Sequence, residues 1–264
     1  MKFTRSAKFA LAAAASAALA VTLLTPAQAA TRSTVILHET NPITGLNCSL
    51  SATNSTTCSA VSYVQGAGFN YYNNKKELVK NTVFGSYKIT KKSASDFRVQ
   101  YTVNPGRLWS DGTPINAVDL LLSHVLSSDA YSIAAGLGDP KSKTSKPAFN
   151  GLGYSGVYSD NIVGEPVLSA DKMSVTLQYK KPIANWDIYG PGPSPVHTLV
   201  LMAEGKDSLQ SVSANEAARD RFLKAYQDKD TTLLKKIGKI WSEDYTITTV
   251  DSKTNPLLLV GNGG

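Results

Sequence analysis

Apolar and polar residues alternate with period two in Phe97-Arg98-Val99-Gln100-Tyr101-Thr102-Val103, the pattern of a strand with one buried face. Tyr87 and Ile89 carry the same alternation upstream, and the polar run from Lys91 to Asp96 between the two stretches predicts a β-hairpin. Beyond Val103 the period changes. Ile115, Val118, Leu121, Leu122 and Val125 recur at helical spacing, with Asp119 on another face. Asp111-Gly112 predicts a tight turn, Thr113 an N-cap, and Pro114 the first helical position, where a missing N–H is harmless. Strand, turn and helix are the expected centre of the chain.

The flanking patterns extend this frame. Ser33 to Leu37 reads as a first buried strand running into the polar turn Glu39-Thr40-Asn41-Pro42. In open α/β sheets ligands collect at the carboxyl ends of strands, so the loop from Glu39 to Asn47 is a candidate rim of a binding cleft; a plain connecting loop is the alternative. Asp129 to Gly164, rich in Gly, Pro, Ser and Lys, predicts an irregular excursion with a short helix near Tyr131 to Leu137. Val167-Leu168 and Ser174 to Tyr179 return to strand patterning. Thr198 to Ala203, Glu216 to Ala225 and Thr231 to Trp241 read as helices, with Ala217, Phe222, Leu223, Leu233, Leu234, Ile237 and Ile240 facing a core. Asn255 to Gly264 reads as a strand entering a turn.

Composition changes the picture at the N-terminus. Lys2, Arg5 and Lys8 precede the apolar, Ala-rich run Phe9 to Leu24 and an A-x-A site at Ala27-Gln28-Ala29, the layout of a cleaved secretory signal. Export is expected, to a periplasmic or otherwise extracytoplasmic location, with the mature chain starting near Ala30. No cysteine stands at that site for a lipoprotein anchor, and no later apolar run is long enough for a membrane span. Cleavage removes three basic and no acidic residues, lowering the formal charge from +7 to +4. No aromatic-interleaved Arg stripe is present, so nucleic acid is not an expected partner. Lys75-Lys76, Lys91-Lys92, Lys180-Lys181 and Lys235-Lys236 read as scattered, solvated pairs.

Cys48 and Cys58 enclose a short Ser/Thr/Asn-rich loop; in an oxidising compartment a disulfide is favoured, with two free cysteines as the alternative. His38, His124 and His197 show no ligand spacing with either, so no metal site and no cofactor are expected. Catalytic patterns are incomplete. Ser159-Asp160-Asn161 and Ser169-Ala170-Asp171-Lys172 stand in the wrong order for a β-lactamase-type serine site, and Gly153-Tyr154-Ser155-Gly156 falls short of a nucleophile elbow. His124 reads as an interior histidine and His197 as a structural hydrogen-bonding one. No catalytic residue is assigned.

One longer signature remains. Pro105-Gly106-x-x-Trp109-Ser110-Asp111-Gly112-Thr113-Pro114-Ile115-x-Ala117-x-Asp119 resembles that of the family 5 extracytoplasmic solute-binding proteins, the oligopeptide and dipeptide receptors of ABC importers. Within it Trp109, Asp111, Gly112, Pro114 and Asp119 read as structural, Trp109 as a core anchor and Asp111 as a turn former. The resemblance implies an α/β fold like that of the periplasmic binding proteins of type II, the large two-lobe class, its first lobe a mixed sheet plus a small β-rich subdomain. It places lobe I core at 30–61, an inserted β-rich subdomain with the central helix at 62–165, the remainder of lobe I at 166–258 and the start of a truncated second lobe at 259–264. It implies a monomeric, non-enzymatic receptor that delivers a solute, by default a peptide, to a membrane permease. Contacts are expected from Glu39, Thr40, Asn41 and Asn47, and from Asn185, Trp186 and Tyr189, with Trp186 equally plausible as core. A secreted hydrolase with Ser155 or Ser159 near His124 or His197, or an envelope interaction protein without a transport role, are the rival readings.

Overall fold

The computed structural model describes residues 38–142, 144, 146–149, 156–184, 186–188, 190–245 and 255–262. The segment expected as an export signal, the strand expected at 33–37, and Ser155, Asn185 and Tyr189 lie outside these residues. The chain divides into two compact units, Met1–Thr40 and Asn41–Gly264. Of the first, residues 38–40 are described and are exposed; all that follows concerns the second.

Its architecture is mixed α/β. Helix α1 (Thr56–Gln65) leads into a two-stranded sheet of β1 (Asn70–Tyr72) and β2 (Leu78–Lys80). A four-stranded sheet in the order β3-β4-β6-β5 follows, from β3 (Gly85–Lys92), β4 (Phe97–Val103), β5 (Val167–Leu168) and β6 (Ser174–Tyr179). Every described pairing is antiparallel. The alternation in the sequence sets the register: Phe97 opposes Tyr179, Val99 opposes Leu177 and Tyr101 opposes Val175, so all six side chains share one buried face. A one-residue slip would turn them to water, at about 2 kcal/mol for each apolar side chain exposed. Because β4 pairs with β6, the sheet crosses the domain boundary expected at residue 165.

Helices cover this face. Residues Ala117–Leu120 form a 3₁₀ turn that runs into α2 (Leu121–Ser127), and α3 (Asp129–Ala134) and α4 (Gly156–Ser159) follow. The helix start differs from the expectation. Thr113 and Pro114 are held in a short bridge with Leu108, and the N-cap is Asn116, whose side chain accepts from Val118 N at 2.9 Å while Asp119 accepts from Asn116 N at 3.0 Å. A reciprocal capping box thus outcompetes the Thr-Pro start signal. It also turns Asp119 inward, so that this residue is wholly buried.

Three C-terminal helices complete the layer: α5 (Val196–Ala203), α6 (Val212–Asp228) and α7 (Thr231–Glu243). Helix α6 starts four residues before the expected position because Ser211 accepts from Ala214 N. The inward face follows the helical period, with Ala218, Phe222, Ala225 and Tyr226 buried and Ala217, five residues before Phe222 and expected in the core, exposed. Pro256–Leu259, expected as a strand, forms a 3₁₀ turn capped by the Asn255 side chain, with Pro256 at its start and Leu257 buried.

Candidate functional site

The loop after Asn41 is shaped by close contacts. A Cβ on Gly45 would stand 2.5 Å from Thr53 Cγ2 and 2.8 Å from the Tyr245 carbonyl, so only glycine lets the loop approach the end of α7. Leu46 N donates to the Tyr245 carbonyl at 2.7 Å, and Asn47 Nδ2 donates to the Trp241 carbonyl at 2.9 Å. A disulfide joins Cys48 to Cys58 on α1. It ties this loop to the helix, an effect worth ~2–3 kcal/mol on the chain-entropy account.

A second strand of anchoring comes from the 255–262 segment. Ser110 N donates to the Gly261 carbonyl and Gly261 N donates back to Ser110 Oγ, at 2.7 and 3.2 Å. Asn262 receives Ala67 N and donates to the Ala67 carbonyl, at 2.9 and 2.6 Å. Between this segment, the 41–50 loop, α1 and the Pro193–Pro195 turn lies a groove of about 700 Å³. Trp109, Leu122, Leu199, Trp241 and Leu258 supply apolar lining, and Val64 and Leu259 are exposed beside them.

None of the groove's lining residues is acidic, basic or histidine. Its one phenol, Tyr245, is kept neutral by burial, which drives its pKa far up against a hydrogen bond to Thr198. Several polar lining groups are already engaged: Asn47 with Trp241 and Ser49, Asn262 with Ala67, and Ser110 with Gly261. The side chains of Gln65 and Ser194 make no hydrogen bond among the described residues. The groove therefore offers apolar contact and a small set of uncharged hydrogen-bonding groups, the composition of a small-molecule or peptide cleft.

Charge sits one layer deeper. Asp111 Oδ2 accepts from His197 Nε2 at 2.9 Å and from Asn215 Nδ2 at 3.0 Å, while its Oδ1 accepts from Thr113 N at 3.0 Å. Burial opposes ionisation of Asp111, but the Thr113 N–H and His197 hold its carboxyl below the usual range. Burial likewise lowers the His197 pKa, against the pull of Asp111, so a neutral imidazole donates to a carboxylate. Beside it, Asp119 faces Arg219 at 3.4 Å and Trp109 Nε1 at 3.4 Å, and burial pushes it up to about 6 despite that cation. This network joins the signature loop to α5 and α6.

No family model matches the chain, and no curated protein does. Solved structures do. A periplasmic EDTA-binding protein, EppA, aligns at 18% identity over 67% of this chain and 28% of its own, with a TM-score of 0.47. The oligopeptide-binding protein of Thermus thermophilus, complexed with a pentapeptide, aligns at 19% identity over 65% and 28%, with a TM-score of 0.38. NikZ of Campylobacter jejuni, in complex with Ni(L-His), aligns at 19% identity over 60% and 26%, with a TM-score of 0.37. The chain thus spans little more than a quarter of the length of each.

Of the residues expected to touch a solute, Asn47 lines the groove, although its amide is committed to structure. Asn41 is exposed and uses its backbone carbonyl to receive Thr57 Oγ1 at 2.8 Å. Glu39 and Thr40 belong to the first unit and are exposed. Trp186 packs edge-on against Tyr87 and Phe97, with ring centroids 5.5 and 5.9 Å apart, and is absent from the groove lining. Trp109 is core, only 3% exposed, and also forms groove floor. No residue pattern marks Gln65, Ser194 or the Leu258–Gly261 segment as ligand contacts. The serine–histidine pairing required by the hydrolase reading is not seen among the described residues: His124 Nδ1 bonds Tyr158 at 2.9 Å, His197 bonds Asp111, and Ser159 Oγ accepts from Asp129 N.

Proposed function

We propose that this chain is the solute-capturing part of an extracytoplasmic receptor that binds an oligopeptide or dipeptide and delivers it to an ABC importer. The observation that carries the reading is the groove of about 700 Å³ without a charged lining side chain, bordered by the uncommitted Gln65 and Ser194. A peptide held through its main chain needs such surroundings: donors and acceptors for amide groups, and apolar walls that tolerate different side chains. The signature from Pro105 to Asp119 supports the same reading, as does the N-terminal export signal. Ligand contacts to a second lobe would stabilise a closed form, a population shift whose size equals the difference in affinity between the two forms.

Calorimetric titration of the full-length, signal-free protein with a pooled peptide library, with nickel and with oligosaccharides tests this. Saturable heat from the peptides alone is the expected result. Heat from another pool alone replaces the solute while keeping the receptor, and no heat from any pool overturns the reading.

A further inference from the structure

The positive charge of this protein is concentrated in one module. Residues 70–98 carry seven Lys and Arg against two acidic residues, a formal +5, whereas the whole chain after signal removal carries +4. The rest of the mature chain is therefore slightly acidic. The module consists of β1, β2, β3 and the start of β4. Its strand β3 is an edge of the four-stranded sheet, and all positions from Lys88 to Lys92 are exposed. The two hairpins are joined at their bases: Phe69 packs on Phe84 and Tyr101 with centroids 5.1 and 5.2 Å apart, Asn70 Oδ1 accepts from Tyr87 OH at 2.8 Å, and Lys80 lies 4.7 Å above the Tyr87 ring.

The acids do not neutralise the surface evenly. Asp96 is held between Lys91 and Arg98 at 2.6 and 2.9 Å, and Glu77 receives the Asn73 amide at 2.8 Å. Lys75, Lys76, Lys88 and Lys92 are exposed and have no carboxylate partner among the described residues. Both faces of this edge hairpin are open: Lys88 shares a face with Gln100, and Lys92 shares the other with Ile89, 38% exposed, while Tyr71 and Tyr72 on β1 are 44% and 49% exposed and Val83 is 65% exposed. Tyr63, itself exposed, is fixed beside them by donating to the Tyr72 carbonyl at 2.8 Å.

We infer that this module is a docking surface for anionic phospholipid headgroups. Lysines are compact, mobile charges that suit a fluid array of phosphates better than a fixed bidentate site. Tyrosine, with an apolar body and a polar tip, suits the headgroup level of a bilayer. Each lysine near an anionic leaflet contributes on the order of a fivefold increase in partitioning. The inference rests on the export read from the N-terminal segment, which places the mature chain beside the outer face of a membrane; it does not depend on which solute the groove takes. Attachment here would hold the receptor close to the bilayer while leaving the groove, which shares no residue with the module, open.

Co-sedimentation of the secreted form, without residues 1–29, with phosphatidylcholine vesicles containing or lacking about one-third phosphatidylglycerol tests this. Binding is expected only with phosphatidylglycerol, and loss on raising salt from about 0.05 to about 0.5 M. The triple variant Lys75→Glu, Lys88→Glu, Lys92→Glu should bind at least ~10-fold more weakly. The control Lys181→Glu, Lys235→Glu, Lys236→Glu makes the same change in net charge elsewhere and should bind within about twofold of the parent. Circular dichroism confirms that both variants fold. Equal loss in both variants, equal binding to neutral vesicles, no binding at all, or tighter binding to duplex DNA than to anionic vesicles at the same salt would each overturn the assignment.

Discussion

The groove and the layer beneath the signature share Trp109, yet they are furnished in opposite ways. Under the signature, Asp111, Asp119, His197 and Arg219 are each at most 5% exposed or have side chains sealed from solvent, Asp111 facing His197 and Asp119 facing Arg219. In the groove no residue carries a charge, and two polar side chains remain uncommitted. Paired buried charges fix one geometry, because removing either partner strands the other in a medium that solvates it poorly. Uncommitted neutral groups fix nothing by themselves and are available to a ligand. The most recognisable residues of the chain are thus scaffolding, and the candidate contacts are residues of ordinary type placed by that scaffolding.

Three perturbations test this division, beginning with the one of largest effect. Arg219→Met keeps most of the volume but leaves Asp119 and the Pro114 carbonyl without their cationic partner. It should cost about 3–5 kcal/mol in urea-induced unfolding, while protein that remains folded should bind solute as the parent does. A fall in affinity without a fall in stability would place the network in the site itself.

The second is pH. Burial, aided by Lys229, lowers the His124 pKa from 6.5 to about 3. Between those values the folded chain binds fewer protons than the unfolded one, so the stabilisation from neutral His124 is complete above pH 6.5 and lost as pH falls towards 3. His197 is shifted in the same direction, and Asp119, raised to about 6, in the opposite one, losing its contribution as pH rises through 6. His124→Phe isolates one group from this sum. The variant should be less stable at pH 7, since Tyr158 OH loses its partner, and the gap should narrow by about 2–3 kcal/mol by pH 4.5. Thermal unfolding of both proteins across that range measures it; a constant gap would mean that His124 takes up its proton as readily in the folded chain as in the unfolded one.

The smallest effect lies in the groove. Gln65→Ala and Ser194→Ala should leave unfolding unchanged to within about 0.5 kcal/mol, and each should weaken peptide binding by about fivefold, the loss of one neutral hydrogen bond. Stability loss in either variant would return these residues to the scaffold.

How far the sequence discloses this arrangement depends on whether a feature is local. The β3–β4 hairpin and helix α7 follow from periodicity over neighbouring residues, and both are where the pattern puts them. Local rules mislead where two of them compete. Thr113-Pro114 and Asn116–Asp119 are both helix-start signals three residues apart, and the reciprocal pair of bonds decides for the second. Helix α6 begins before its apolar residues because Ser211 caps it, and Ala218 rather than Ala217 is buried because it stands four residues from Phe222. The apolar run Leu257–Val260 suits a strand or a turn equally, and the Asn255 cap with Pro256 settles it. The groove is harder still. Gln65 and Ser194 come together only through contacts spanning most of the chain, such as Ala67 with Asn262 and Leu46 with Tyr245, and neither residue type signals binding.

Helix α5 has a further consequence. Six of its eight residues, Val196 to Leu201, are buried, so it has no wet face and no polar stripe to sustain it in water. A segment this short lies far below the length at which helices persist alone, and one buried on nearly every side has little surface suited to water. Its order must come from α6 and α7 closing around it. The three helices are accordingly one packing unit, and the part of the groove wall formed by Leu199 depends on all of them.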